Sequence, residues 1–499
     1  MDYLERKLPE EVGIPSSAII SFLDKVKEYN FELHSLQVVR KGAIVAEAYA
    51  APFNKDSLHR MQSASKTISG TAMLFAIQER LVSLDDKVVD FFRDNLPENM
   101  DEKFERLTVY HLLTMSSGHD KDTFHEMMLT DNWVREFFNI PLAYEPGSVW
   151  LYNNGIPHIL GCIVEKVAMQ SVPDYLRPRL IDPLGLDITF GFNEQGEFDS
   201  AYSCISMESM LKFTLFYMQK GRWKEYQLLD ADLVEMACKA LVSNAPGENI
   251  PVNTKDPQSG GGYGFQMWHN HSGGFRIAGG GGQIGMVFPE EDLAVVCMGF
   301  SPDYYAVPGF MDSEIHKKLS ERPLPPNPEV AQELQFRLDN LSLAPRDTCT
   351  YSSTVKEVES RRFVFEKNDL GIGALSLSFK ENHFVIHTEN EDGSVQDIPC
   401  GLGNRWEKYM GDAIAENDYS AFSLILQSEK YPSLISGGWL NDYLLQVNIR
   451  SHASMATGSL VFDFRYNQLK LTVIHARLRG RNPRTKVRIK FAPDILYGK

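Results

Sequence analysis

The sequence predicts a mixed α/β (α+β) chain: an antiparallel sheet flanked by helices, a helical region set between its strands, and an all-β domain after it. Three observations carry this. Apolar residues alternate along residues 34–50 and again along 263–300, as in strands. Residues 68–245 between them read as helices and loops. Beyond about residue 345, short period-two runs replace helical spacing. At 499 residues, with 43% hydrophobic and 11% aromatic content, the chain has more than one ordinary core to fill.

The elements follow in order. Residues 34–50 (HSLQVVRKGAIVAEAYA) turn at Lys41-Gly42 and predict a hairpin. A helix opens at Ser63-Ala64-Ser65-Lys66, and Ile68, Ala72, Phe75 and Ala76 follow at helical spacing with further apolar residues between, so it is expected to be buried on most sides. Phe275 to Gln283, Ile284 to Phe288 and Leu293 to Met298 predict a second hairpin entered through glycines. A helix is expected near 311–321. Four prolines in Arg322–Pro328 forbid a continuing helix and mark a linker, which sets the expected domains at 1–322 and 346–499 with a Pro-rich linker at 323–345. In the last domain Leu375, Leu377 and Phe379; Leu445, Val447 and Ile449; Leu460, Phe462 and Phe464; and Leu469, Leu471 and Val473 keep period two, with turns at Lys380-Glu381-Asn382 and Tyr466-Asn467-Gln468. A small barrel is expected.

Ser63 and Lys66 are the first chemical signal. Residues i and i+3 share a helix face, which puts the lysine within hydrogen-bond reach of the serine hydroxyl. The first turn also offers backbone N–H groups and the positive end of the helix dipole to an oxyanion. Ser-x-x-Lys occurs three times, at Ser63/Lys66, Ser209/Lys212 and Ser353/Lys356. Only the first opens a helix expected to be buried; the other two read as solvated surface.

Glu145 to Gly155 (EPGSVWLYNNG) is the second signal. Pro-Gly and Asn-Gly bracket a short apolar run and predict a loop held at both ends, and Tyr152-Asn153-Asn154 is the one Tyr-x-Asn among 20 tyrosines. The third is Phe275 to Gln283, read as an edge strand whose glycines let a substrate approach the backbone.

With these elements in order, residues 8 to 320 resemble the penicillin-recognising serine hydrolases, most closely the class C β-lactamase-like branch of esterases, D-amino-acid peptidases and amide hydrolases. Further matches are Leu84-Asp85-Asp86, Leu112 to Gly118, Pro183-Leu184-Gly185, Tyr263-Gly264-Phe265 and Gly282-Gln283. The resemblance implies a β-lactamase/transpeptidase-like fold. It also implies Ser63 as acylated nucleophile, Lys66 as its activator, Tyr152 as general base and acid, and Asn154 as hydrogen-bonding partner of substrate and Lys66. It implies an oxyanion hole from the N–H groups of Ser63 and Gly280, and in some members a lipocalin-like β-domain after the catalytic one. Either neutral Lys66 or a Tyr152 of lowered pKa can take the proton. Hydrolysis, acyl transfer to an amine, and ligand binding by a retired site stay open.

The third motif departs from the pattern. Where Lys or His, then Thr or Ser, then Gly are usual, this chain has Ile277-Ala278-Gly279, followed by Gly280. An aliphatic residue cannot bind a substrate carboxylate, so neutral substrates are expected. Strand alternation points Arg276 away from Ile277's side, and His269 and His271 are near in sequence.

Other chemistry is not expected. His111, His119, His125 and His158 among the 13 histidines show no metal spacing, and no Gly-Lys-Ser/Thr follows Gly279 to Gly282, so neither a metal nor an organic cofactor is predicted. A net charge of −16 argues against nucleic-acid binding, and the basic run from Arg477 to Lys490 reads as a solvated strand face. No apolar run of signal or membrane length and six scattered cysteines predict a cytoplasmic protein that takes a small-molecule or peptide substrate. The sequence leaves the oligomeric state open.

Overall fold

The computed structural model describes residues 4–193, 196–245, 260–301, 303–343, 348–368, 371–403, 405–409, 433–451, 457–465, 468–476 and 494–498. Contacts divide the chain into two compact units, the first built mainly of residues up to 341 and the second mainly of those from 342 onward.

The first unit is built on a seven-stranded sheet. Its order is Glu5–Arg6, Ala43–Tyr49, Glu32–Arg40, Leu293–Phe300, Gln283–Phe288, Phe275–Gly279 and Trp268–His269. Every pairing is antiparallel except that of Glu5–Arg6. The expected hairpin around Lys41-Gly42 therefore forms, and its first strand pairs with Leu293–Phe300 at the sheet centre. Gln283–Phe288 and Leu293–Phe300 are buried at every position, because helices cover both faces. Ser16–Glu28 and Pro328–Asp339 share one apolar cluster with Leu36, Val38, Ile284, Met286 and Val295. Met207–Met218 packs on the strands Gln283–Phe288 and Leu293–Phe300 as well. Each fully buried aliphatic side chain of these strands contributes roughly 1.5–3 kcal/mol.

Two readings change here. The stretch read as a linker contains the helix Pro328–Asp339, whose Leu334 and Leu338 are buried in that cluster and whose Arg337 pairs with Asp24 at 2.6 Å. Pro328 is the first helical residue, where a missing N–H costs nothing; it starts the helix rather than forbidding one. The helix expected near 311–321 instead runs as short helical segments from Val307 to Lys318.

The second unit is one long sheet in the order Phe363–Val364, Ile372–Phe379, His383–Asn390, Val395–Leu402, Ser433–Trp439, Leu444–Ser451, Thr457–Asp463, Leu469–Ala476 and Asp494–Gly498. A bridge between Phe365 and Gly498 brings the two ends together, so the sheet is a near-closed, barrel-like one. Val395–Leu402 pairs parallel with Ser433–Trp439, a step that an up-and-down barrel lacks. Leu375, Leu377, Leu445, Val447, Ile449, Leu460, Phe462, Phe464, Leu469 and Leu471 all face its core. The turn expected at Tyr466-Asn467 and the basic run from Arg477 to Lys490 lie outside the described residues. Among those described, no helix is long and apolar enough to cross a membrane.

Candidate active site

Ser63 stands in a tight helical turn, Gln62–Ser65, that leads directly into the helix Lys66–Gln78. The turn is fixed from several sides. Met61 N–H donates to Ser203 O at 3.0 Å, in a small sheet of Leu58–Arg60, Phe198–Ser206 and Ile188–Phe192. Ser65 Oγ donates to Gln62 O at 2.6 Å, and Gln62 itself sits at φ 51°, a left-handed conformation that costs a non-glycine residue of order 1 kcal/mol or more. The helix is buried along its whole first three turns, from Lys66 to Ala76, as its apolar spacing predicts.

Lys66 is 6% exposed, and its Nζ donates to Ser63 Oγ at 3.0 Å and to Asn154 Oδ1 at 2.7 Å. The same nitrogen lies over the Tyr152 ring, 4.9 Å from its centroid. Burying an amine is costly without partners; two oxygen acceptors and an aromatic face supply them. Ser63, Lys66, Tyr152 and Asn154, distant in sequence, are thus brought together.

The loop carrying Tyr152 is held by the segment Met115–Gly118. Leu151 N–H donates to Met115 O at 2.9 Å, Gly147 N–H to Ser116 O at 2.7 Å and Tyr144 N–H to Gly118 O at 2.9 Å. Asn153 is buried, and its Oδ1 accepts from the Thr123 hydroxyl at 2.9 Å and the Gly155 N–H at 2.9 Å. Tyr152 stacks on Trp268, with centroids 5.5 Å apart, and Trp150 and Tyr263 complete the aromatic wall.

Asp122 is a residue that sequence reasoning missed. One carboxylate oxygen accepts the Asn154 backbone N–H at 2.8 Å, and the other accepts from Asn154 Nδ2. The same Oδ1 accepts the Phe124 N–H at 3.1 Å, so a helix-start pattern at Asp122-Thr123-Phe124 was its one sequence signal.

The strand Phe275–Gly279 ends beside Ser63. A Cβ on Gly279 would lie 2.1 Å from Met61 O and 3.0 Å from Ala64 N; only glycine lets the strand come this close. Gly280 follows in the turn. Ile277, however, is fully buried at 0% exposure, so it offers nothing to a substrate. Ala278, half-buried, is the side chain this strand leaves accessible. Arg276 shares Ala278's face, as alternation predicts: its Nη1 donates to Asn270 Oδ1 at 2.9 Å and its guanidinium lies 5.5 Å from the Trp268 ring centroid. His271 is exposed in the preceding turn.

The other two Ser-x-x-Lys pairs separate. Ser353 and Lys356 are exposed, as expected. Ser209 is not solvated: it is 1% exposed, bonded to Ser206 Oγ at 2.8 Å and to Asp187 N–H at 2.8 Å. Lys212 turns to Glu208 and to Gly185 O instead. Its helix is apolar nearly all round, which leaves Ser209 a structural role at the helix start.

A buried lysine bonded to a serine at the start of a helix, with a Tyr-x-Asn loop across from it, is an arrangement chemically able to activate the serine hydroxyl. The Beta-lactamase family model matches residues 19–299, more than half of the chain, and the chain belongs to that family. It is a family of serine hydrolases that includes β-lactamases, esterases and penicillin-binding proteins. A β-lactamase of Yersinia enterocolitica is 23% identical over 185 residues, 37% of this chain and 44% of the relative. Esterase EstB of Burkholderia gladioli is 26% identical over 153 residues, 27% of this chain and 38% of the relative. The chain thus spans less than half the length of these curated relatives. Among solved structures, the octameric penicillin-binding protein homologue from Pyrococcus abyssi is similar over 97% of this chain and 99% of its own, at 17% identity and a TM-score of 0.46.

Proposed function

We propose that this chain is a serine hydrolase working through an acyl-enzyme on Ser63, with a small ester, amide or D-amino-acid peptide as substrate and neutral acyl groups preferred. The observation that carries the reading is the chain of contacts from Ser63 Oγ through Lys66 Nζ to Asn154 Oδ1. Ser63 Oγ attacks the substrate carbonyl carbon as its proton passes to the Lys66–Tyr152 pair, Lys66 Nζ being already in contact with it. Asn154 keeps Nζ in place. The negative charge that forms on the carbonyl oxygen meets the N–H groups of Ser63 and Gly280. Tyr152, packed on Lys66, gives a proton to the leaving group and is restored by the one the pair took from Ser63, and water then releases the acyl group by the reverse route. The esterase among the relatives supports the ester class. None of the six cysteines forms a disulfide, which suits a reducing compartment.

A fluorophosphonate probe tests this. The protein should be labelled once, and Ser63→Ala should abolish labelling while keeping the far-UV spectrum and melting temperature. Labelling that persists in the alanine variant and maps to another serine would refute the assignment.

A further inference from the structure

Away from Ser63, two elements assemble a set of metal-ligand side chains. His158 and Cys162 stand one turn apart on the helix Ile156–Ala168, with His158 Nε2 and Cys162 Sγ 3.4 Å apart. Glu197, immediately before the strand Phe198–Ser206, places a carboxylate oxygen 3.4 Å from the same Nε2. The three ligand atoms lie within 4.8 Å of one another. A tetrahedral zinc ion, with bonds of about 2.0 Å to nitrogen and oxygen and about 2.3 Å to sulfur, has ligand-to-ligand edges of roughly 3.3–3.6 Å. Both edges at Nε2 have that length.

The surroundings orient these groups. His158 Nδ1 is 3.3 Å from Phe198 O; with Nδ1–H donating to that carbonyl, Nε2 is the ring nitrogen turned to the sulfur and the carboxylate. The carboxylate calls for positive charge at Nε2, which either a ring proton or a metal ion in its place supplies. Glu197 is itself steadied: its oxygen accepts from Asn193 Nδ2 at 2.8 Å, and its backbone N–H donates to Asn193 Oδ1 at 2.8 Å. Gly161 lets the helix come down on Phe198, where a Cβ would lie 3.2 Å from its ring. His158 is buried, and Cys162 and Glu197 are half-buried, so an ion can enter from solvent.

We propose that His158, Cys162 and Glu197 form a zinc site, with water as fourth ligand, that ties the start of the helix Ile156–Ala168 to the strand beginning at Phe198. An imidazole, a thiolate and a carboxylate suit zinc better than magnesium or calcium. Cys162 binds as thiolate, its proton passing to solvent. Histidine-only spacing hides the set, because two of its members are a cysteine and a glutamate. The inference is independent of acyl chemistry at Ser63, although the tethered helix begins two residues after Asn154.

Full-length protein stripped with a chelator and titrated with Co²⁺ tests the proposal. The expected result is one Co²⁺ per chain, with tetrahedral d–d bands and a thiolate-to-cobalt absorption, displaced by one equivalent of Zn²⁺. Cys162→Ser should remove the thiolate band, Glu197→Gln should weaken Zn²⁺ binding at least tenfold, and Ser63→Ala should change neither. His158→Gln removes a buried ring and can fail to fold, so the decision rests on the two half-exposed positions. Absence of stoichiometric binding, or binding and a thiolate band that survive both substitutions, overturns the proposal.

Discussion

Asp122 holds Asn154 at two points, backbone N–H on one oxygen and side-chain amide on the other. With Nδ2 committed to Asp122, the amide has one orientation, and Oδ1 must face Lys66. The lysine's position beside Ser63 therefore depends on a carboxylate two residues removed from it in the hydrogen-bond chain.

Asp122→Ala should lower kcat by about ten- to a hundredfold with KM changed less than about threefold, because it loosens the geometry of proton transfer rather than substrate contacts. Asp122→Asn, which keeps an acceptor, should recover part of the loss. Steady-state kinetics on a neutral aryl ester decide it; an unchanged kcat in the alanine variant removes Asp122 from the positioning role.

Lys66 and Tyr152 are packed as one unit, so Lys66→Ala and Tyr152→Phe should each reduce kcat by at least about a hundredfold, and the double variant should fall far short of the product of the two losses. Near-normal turnover of an unactivated ester by Tyr152→Phe would show that the ring only packs.

For a neutral aryl ester, kcat/KM should exceed that for its carboxylate-bearing analogue by tenfold or more, since a carboxylate beside Ala278 loses water without gaining a partner there. Ala278→Lys should narrow the gap. Ile277→Lys should instead destabilise the fold by several kcal/mol, because it buries an ammonium. A wild type that prefers the charged substrate would show that another group, such as Arg276 on the same strand face, reaches the acyl pocket.

Burial lowers the His119 imidazole from 6.5 to about 4. Between those values the unfolded chain binds the extra proton and the folded one does not. Stability from this group is therefore complete above about pH 6.5 and is lost as the pH falls toward 4, by up to about 3 kcal/mol. Denaturant melts from pH 7 to 4 should show this slope, and His119→Gln should flatten it. Equal slopes in the two proteins would assign the acid loss elsewhere.

The parts of the site legible in the sequence are those held by local geometry. Ser63 and Lys66 lie on one turn, so spacing paired them; Tyr152 and Asn154 lie in a loop between two turn signals, and the family resemblance gave that loop its place in the site. What joins the pairs was not legible. Asp122 comes 32 residues before Asn154, in a loop with no periodicity to mark it. Ile277 was assigned a substrate face from the strand alone, although burial by neighbouring layers decides its exposure. Ser209 was read as solvated from the polar positions of an amphipathic stretch, although its helix is buried nearly all round. The β-rich second unit was legible from period two, but the parallel step from Val395–Leu402 to Ser433–Trp439 is a long-range pairing that alternation does not encode.

The central pairing of the first sheet joins Glu32–Arg40 to Leu293–Phe300, and this sets a timetable for synthesis. At roughly 5–20 residues per second, the N-terminal hairpin leaves the ribosome well over ten seconds before its partner strand exists. Throughout that interval a buried-type strand, apolar at Leu33, Leu36, Val38 and Val39, presents an unpaired edge to every other nascent chain nearby. The sheet that positions Ser63 thus closes only after the helices between its two halves have been made, and a holding chaperone has most to protect in the N-terminal hairpin.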